Sequence, residues 1–412
     1  MPPSVVVSGI GVVSTLGASR ESFRDGLLAG RSGIAPVTAF DVSDCRTRVA
    51  ASVTGFEPTA WISPMKLRRM DDTARYAVVV TRQAFEDGAY PLGGDGDDHA
   101  GVVMGTFTAG GQATSEYLRA LHAGGPAGAP AILFNSTVSN APASLAGLEF
   151  KLRGPNVTIS QKESSGLAAI VSATDTIRLG RAPALAAGGV DAIFEIFFRV
   201  HSRFGVMADG DAPGPFDRHR RGFVLGEGGF ALLLEDETVW GSRAAKQYGT
   251  VAGVAGGSAA VGINQWPDTP APLARTMRDA IADAGLTPDD IDVVYASANA
   301  TTVLDRVEAE ALALVFGAAR PLDTSITRPL VTSIKGAIGE FGASGAASCA
   351  AAFLCGAQGE VPPIAGLGEV DAAASGLNLA RARQQAPGPV VLVNSTASGG
   401  ALFSAVLRVA RH

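Results

Sequence analysis

Three short segments carry groups able to do chemistry. Glu163 opens the run Glu163-Ser164-Ser165-Gly166, where the apolar stretch Val157-Thr158-Ile159 gives way to the helical pattern LAAIVSATDTIRLG. A carboxylate there rests on a helix N-terminus, whose unpaired N–H groups favour an anion. Two readings stand for it: a carboxylate with a catalytic task, or an inert anion on the helix end, paired with Lys335. The second segment is Lys335-Gly336-Ala337-Ile338-Gly339-Glu340. Glu340 and Glu163 would serve as an acid/base pair only with a water site between them. The third is Ala296-Ser297-Ala298-Asn299. Ser297 as a nucleophile needs a base, and no histidine accompanies it, so a buried, backbone-capped serine is the simpler reading. The histidines are His99, His122, His201, His219 and His412, none in these segments. The cysteines, Cys45, Cys349 and Cys355, form no CxxC pair or Cys/His cluster. That argues against a metal site and a disulfide framework and points to the reducing cytosol.

Elements that could position these groups are legible around them. Val5-Val6-Val7 followed by Gly9 and Gly11 reads as a buried strand entering a tight turn. TARYAVVVTRQAFEDG over 73–88 places Ala74, Ala77, Val78, Thr81, Ala84 and Phe85 on one helical face, and Gly88 ends it. GVVMG at 101–105 is a second buried strand. Leu273, Met277, Ala280, Ile281 and Ala284 repeat at helical spacing before Gly285, and Ile291 to Ala296 is strand-like. Alternation of this kind means α/β with largely parallel sheets. Glu163-Ser164-Ser165-Gly166 is echoed by Ala343-Ser344-Gly345-Ala346, each opening a small-residue helix, which suggests duplicated halves over 1–248 and 249–412. The run from Phe341 to Gln358 is a tightly packed core helix, broken by too many glycines and serines to be a membrane span, and Cys349 and Cys355 are core thiols within it.

The whole composition agrees. The 412 residues are 47% hydrophobic and 17% charged, with 51 Gly and 23 Pro, which excludes disorder and coiled coil. The net charge is −6, and no basic block with interleaved aromatics exists to track phosphates, so nucleic acid is not an expected partner. The N-terminal MPPSVVVSGIGVVS has neither a cationic leader nor a spanning length, and no membrane role is expected.

VVVSGIGVVSTLG with LLAGRSGI, then RRMDDTARYA, GPFDRHRRGFVLGEGGFALLLEDE at 214–237 and LTPDDIDVVYASANATT at 286–302 form an ordered series. Together they resemble the β-ketoacyl synthase family of fatty acid and polyketide assembly over nearly the whole chain. The resemblance implies the thiolase fold, a duplicated five-layer αβαβα sandwich, and a dimer. It also sets a register. Against a motif like TACSSG, Glu163 stands where the acyl-accepting cysteine belongs. Against NAHGTGTxxND and KSxxGH, Ser297 and Glu340 stand where the two histidines belong, while Lys335 is retained. Asn394-Ser395-Thr396-Ala397-Ser398-Gly399-Gly400 lacks both phenylalanines of NSFGFGG. A carboxylate cannot hold a growing chain as a thioester, and enolate stabilisation needs directed N–H donors.

A kept scaffold with every catalytic side chain replaced resembles the chain-length factors of type II polyketide synthases, though many of those carry glutamine where Glu163 stands. The resemblance implies a heterodimer with an active ketosynthase, an acyl carrier protein whose phosphopantetheine delivers the chain, no other cofactor, and chain length set by filling the partner's tunnel. Phe107, Gln112, Ser115, Tyr117 and Leu118 fall in the tunnel-lining region, and Phe134 and Val138 in the part that reaches across the dimer. Phe107, Tyr117 and Phe134 also read equally as plain core aromatics. The product is an aromatic or a reduced, polyene-type chain, with VTISQKESSG leaning to the latter. Two other roles stay open: a decarboxylating priming subunit acting on malonyl carrier protein, and a homodimeric scaffold that binds acyl carriers.

Overall fold

Gly9 and Gly11 do not turn the chain. The first strand, β1 (Val5–Ser14), runs straight through both, because α1 (Asp72–Asp87) lies directly on them. A Cβ on Gly9 would sit 1.9 Å from the Ala84 carbonyl oxygen, and one on Gly11 would sit 1.9 Å from that of Val80. The glycines thus allow helix and sheet backbones to approach. A computed structural model describes residues 4–92, 95–208, 214–243, 245–317 and 329–411.

Next along the chain come β2 (Ala100–Gly105), α2 (Gly111–Gly128), α3 (Ala141–Phe150), β3 (Asn156–Ile159), α4 (Ser165–Arg178), β4 (Ala184–Asp191), α5 (Glu195–Phe204) and β5 (Gly228–Asp236). The second half contributes β6 (Gly249–Ser258), α6 (Ala271–Asp283), β7 (Val293–Tyr295), α7 (Thr302–Phe316), β8 (Leu330–Thr332), α8 (Ser344–Gly356), β9 (Asn378–Leu379), β10 (Val390–Thr396) and β11 (Ala401–Val409). The helices and strands expected over 73–88, 101–105 and 273–284 form within a residue or two of those bounds. The strand expected over 291–296 is shorter, because the chain from Ala296 turns aside to carry Ser297 and Asn299 into the site.

These strands make one sheet in the order β9-β8-β7-β10-β11-β6-β1-β5-β4-β2-β3. The duplication is visible in its topology. In the first half β3, β2 and β4 are parallel, followed by antiparallel β5 and β1. In the second half β8, β7 and β10 are parallel, followed by antiparallel β11 and β6. The halves join where β1 meets β6 over Val5–Val7. Helices α1 and α3 pack outside the first half-sheet around Val80, Phe85 and Leu233. Helices α6 and α7 cover the second around Met277, Leu312 and Leu392. Helices α4 and α8 fill the space between, with Ile170, Phe353, Leu232 and Val393 in one core. Five layers, αβαβα, result.

The echoed small-residue runs meet in the central layer. Gly166 N–H donates to the Gly342 carbonyl at 2.8 Å, and a Cβ on Gly166 would lie 3.1 Å from the Ala343 Cα. Every residue of α8 is buried, including Cys349 and Cys355. No helix among the described residues is long and apolar enough to cross a membrane.

Candidate functional site

Glu163 reaches its place because β3 ends at Ile159 and the chain tightens into a short 3₁₀ turn, Lys162–Ser164, before α4. Lys162 adopts φ +49°, a region L-residues seldom occupy. Ser165 staples the turn, its Oγ accepting from Gln161 N–H at 2.9 Å and donating to the Lys162 carbonyl at 2.6 Å. The Glu163 side chain is buried, and Ser398 holds it: the Ser398 amide donates to Oε2 at 3.0 Å and its hydroxyl to Oε1 at 2.8 Å. Burial pushes the Glu163 carboxyl above its ordinary range, with Lys162 opposing and the nearby Glu340 charge adding to the rise. The expected pairing with Lys335 does not form.

Lys335 pairs instead with Glu340, Nζ to Oε2 at 2.7 Å, both buried. Glu340 is satisfied on every side: Asn299 Nδ2 donates to Oε2 at 2.8 Å, and Ser344 Oγ and Phe341 N–H donate to Oε1 at 2.8 and 3.1 Å. The Ser297 oxygen accepts from Thr396 N–H at 2.9 Å and Lys335 Nζ at 3.3 Å. It is a junction between strand and ion pair, the backbone-capped serine expected, and the amine beside it is already committed to Glu340. Behind it lies Glu308, which the sequence reading passed over. Its Oε1 accepts from Ser297 N–H at 2.9 Å and Asn394 Nδ2 at 3.2 Å, and burial pushes its carboxyl up to about 7. One helical turn earlier Asp305, pushed up to about 6 by burial, receives the Asn299, Ala300 and Phe216 amides. Two acids one turn apart inside the apolar pattern of α7 were the available signal.

Glu163 and Glu340 face a closed chamber with Phe107, Phe197, Phe341 and His201, and its volume is about 10 Å³. A water needs roughly 10–15 Å³, so the space between the two carboxyls is at most that of a single water. His201 is a correction: a histidine does enter the site, from α5 and outside every motif. Its Nδ1 lies 2.9 Å from the Phe197 carbonyl, its ring 4.3 Å from that of Phe197, and burial lowers its pKa, favouring the neutral ring. His99, His122 and His219 are exposed elsewhere, and His412 lies outside the described residues. Outside the chamber a cleft of about 270 Å³ opens to the surface, with Lys162, Asn264, Trp266 and Ser398 among its walls.

The remaining sequence candidates divide into three groups. Phe107 stands beside Glu163, with Lys162 Nζ 5.6 Å above its ring. Gln112 and Ser115 are half-buried on α2; Gln112 Oε1 accepts from Asp72 N–H at 3.4 Å, and Ser115 Oγ donates to the Gly111 carbonyl at 2.9 Å. Tyr117 and Phe134 rings lie 6.0 Å apart. Leu118, Phe134 and Val138 are 44%, 60% and 48% exposed, so Phe134 is not a core aromatic. Among the described residues, edge strand β3 pairs only with β2, and its Val157 is exposed too.

The layered, duplicated architecture around these residues is the thiolase fold of ketosynthases. The solved structure of the ishigamide ketosynthase/chain length factor superposes with a TM-score of 0.90 over 99% of this chain and 100% of that one, at 28% identity. Family models of the β-ketoacyl synthase N-terminal and C-terminal domains match residues 3–239 and 248–368. The chain belongs to the β-ketoacyl synthase family. Among curated relatives, the actinorhodin polyketide β-ketoacyl synthase 2 of Streptomyces coelicolor is 32% identical over 76% of this chain and 78% of its own length. The 3-oxoacyl-[acyl-carrier-protein] synthase 2 of Coxiella burnetii is 30% identical over 81% and 83%.

Proposed function

We propose that this chain is a catalytically silent ketosynthase-like subunit that pairs with an active β-ketoacyl synthase and sets polyketide chain length by shaping the partner's acyl tunnel. The observation that carries this reading is the state of Glu163. It sits at the position of the acyl-accepting cysteine, capped by Ser398 in a chamber of about 10 Å³, with an ion-paired glutamate and a serine at the two histidine positions. Such a site has no thiol on which to carry an acyl chain as a thioester. The exposed apolar side chains Leu118, Phe134 and Val138, and the edge position of β3, support a large partner interface. A carrier protein brings acyl chains on phosphopantetheine, and no further cofactor takes part. The pair makes an aromatic or a reduced, polyene-type product, and the reduced class is preferred.

The test is co-expression with a candidate ketosynthase, followed by mass determination of the complex and malonyl carrier-protein elongation. A heterodimer whose turnover survives Glu163→Ala, and whose products shorten in Ser115→Phe, is expected. A stable homodimer without affinity for a ketosynthase would favour a carrier-binding scaffold instead. One observation favours a second reading: His201 and a carboxyl whose pKa burial raises line the same chamber, which is chemistry suited to decarboxylating priming. Loss of malonyl decarboxylation in Glu163→Ala with the complex intact would establish that role.

A further inference from the structure

Glu163, His201 and Phe223 line both the outer cleft and the closed chamber. They are therefore the septum between the two. On the outer side of that septum Lys162 forms a bracket. Its Nζ donates to Asn264 Oδ1 and to Ser398 Oγ, each at 2.6 Å, joining segments 102 and 236 residues apart in the chain. Ser398 then passes its own hydrogen bond to Glu163 at 2.8 Å. Burial lowers the Lys162 pKa, and the Glu163 charge opposes that shift. Lys162 also has the left-handed backbone noted above, so the turn is strained where the contact is made.

In the register of the motifs, Lys162 stands at the alanine of TACSSG, Glu163 at its cysteine and Ser398 at the second phenylalanine of NSFGFGG. Three replacements from two distant segments thus make one connected hydrogen-bonded unit. Loss of a catalytic thiol alone would leave a vacancy; here the space is closed and the closure is cross-braced. We infer that Lys162 is a latch that shuts this chain's own site to carrier-borne thioesters, so that in a pair only the partner's cysteine is loaded. The inference rests on the non-loading role proposed above and names the residue that enforces it.

The experiment places a reporter thiol behind the latch. Glu163→Cys, Glu163→Cys with Lys162→Ala, and Glu163→Cys with Asn264→Ala are prepared as the chain with its partner. Alkylation of the introduced thiol by iodoacetamide is followed by peptide mass spectrometry. Rates are taken on the plateau above the thiol's titration, where removal of the lysine charge no longer changes the thiolate fraction. The introduced thiol should react about tenfold faster without Lys162, and about threefold faster without Asn264, as local opening becomes easier. Cys349 and Cys355, fully buried, report folding by staying unmodified. Equal rates with both protected overturn the latch. Should Lys162→Ala expose them, the Asn264→Ala variant, altered only at an exposed loop residue, decides alone, and an unchanged rate there overturns it. Failure of the chain to pair with a ketosynthase would instead overturn the silent-subunit reading, because alkylation needs no elongation.

Discussion

Ser398 donates to the Glu163 carboxylate through both its backbone amide and its hydroxyl, at 3.0 and 2.8 Å, across 235 residues of sequence. The serine occupies a position where the family motif has a phenylalanine, and a phenylalanine has no hydroxyl for this contact. The carboxylate and its cap form a matched set. In Ser398→Phe the hydroxyl cap is lost and a ring is forced against a buried acid. A loss of about 2–4 kcal/mol is expected by chemical denaturation, and adding Glu163→Ala to make room should recover at least half of it.

Lys335 and Glu340 should behave as a unit. Glu340→Gln leaves the lysine buried without its counter-charge, which costs roughly 3–5 kcal/mol. Lys335→Met combined with Glu340→Gln removes both charges and should lie at least 1–2 kcal/mol above that single variant. Urea melts of the wild type, Glu340→Gln, Lys335→Met and the double variant measure the coupling, and strict additivity would show that the pair is not one.

Stability should fall as pH rises from 5 to 8. Burial holds Glu308 and Glu227 up at about 7 and Asp191 and Asp305 up at about 6. Each therefore binds its proton more tightly folded than unfolded. Its stabilising contribution is complete below the ordinary carboxylate range and is lost as pH passes through about 6 to 7. Calorimetric Tm values across this interval should decline, and Glu308→Gln should flatten the decline. A Tm that climbs from pH 5 to 8 would contradict the sign.

Gly11→Ala should abolish soluble expression or cost more than about 3 kcal/mol. Its Cβ would fall 1.9 Å from the Val80 carbonyl oxygen, which is helix backbone and has no rotamer through which to yield. Gly124→Ala, whose Cβ meets nothing within 4 Å, is the matched control and should leave the yield unchanged.

Phe134→Asp tests the exposed face without touching the core. The side chain is 60% exposed, so the Tm of the chain by itself should move little. Retention of a co-expressed ketosynthase on an affinity column should drop at least about thirtyfold, corresponding to about 2 kcal/mol for a buried aromatic anchor. Undiminished retention would remove Phe134 from the interface.

Much of the fold is legible in the sequence. The apolar period of residues 73–88 and 273–284 predicts helices that form there, and the echo between Glu163-Ser164-Ser165-Gly166 and Ala343-Ser344-Gly345-Ala346 corresponds to two helices that touch in the central layer. Gly9 and Gly11 misled because a glycine in sequence does not say whether it turns the chain or admits another backbone. That depends on what packs over it, which here is α1.

The sequence by itself determined which groups the three segments carry: a carboxylate at 163, a serine at 297, and a lysine and a glutamate at 335 and 340. Those are covalent facts, and the motif register locates them. Only the tertiary structure decided how they pair. Lys335 sits on Glu340, Glu163 is held by Ser398, which Lys162 holds in turn, and His201 arrives from a helix outside every motif. The contacts of Ser398 with Glu163 and Lys162 are set by the crossing of half-sheets and helices that bring residues over 200 positions apart to 3.0 Å or less, and hydrogen bonds form only at such short range. A one-dimensional pattern holds the side chains but not their separations.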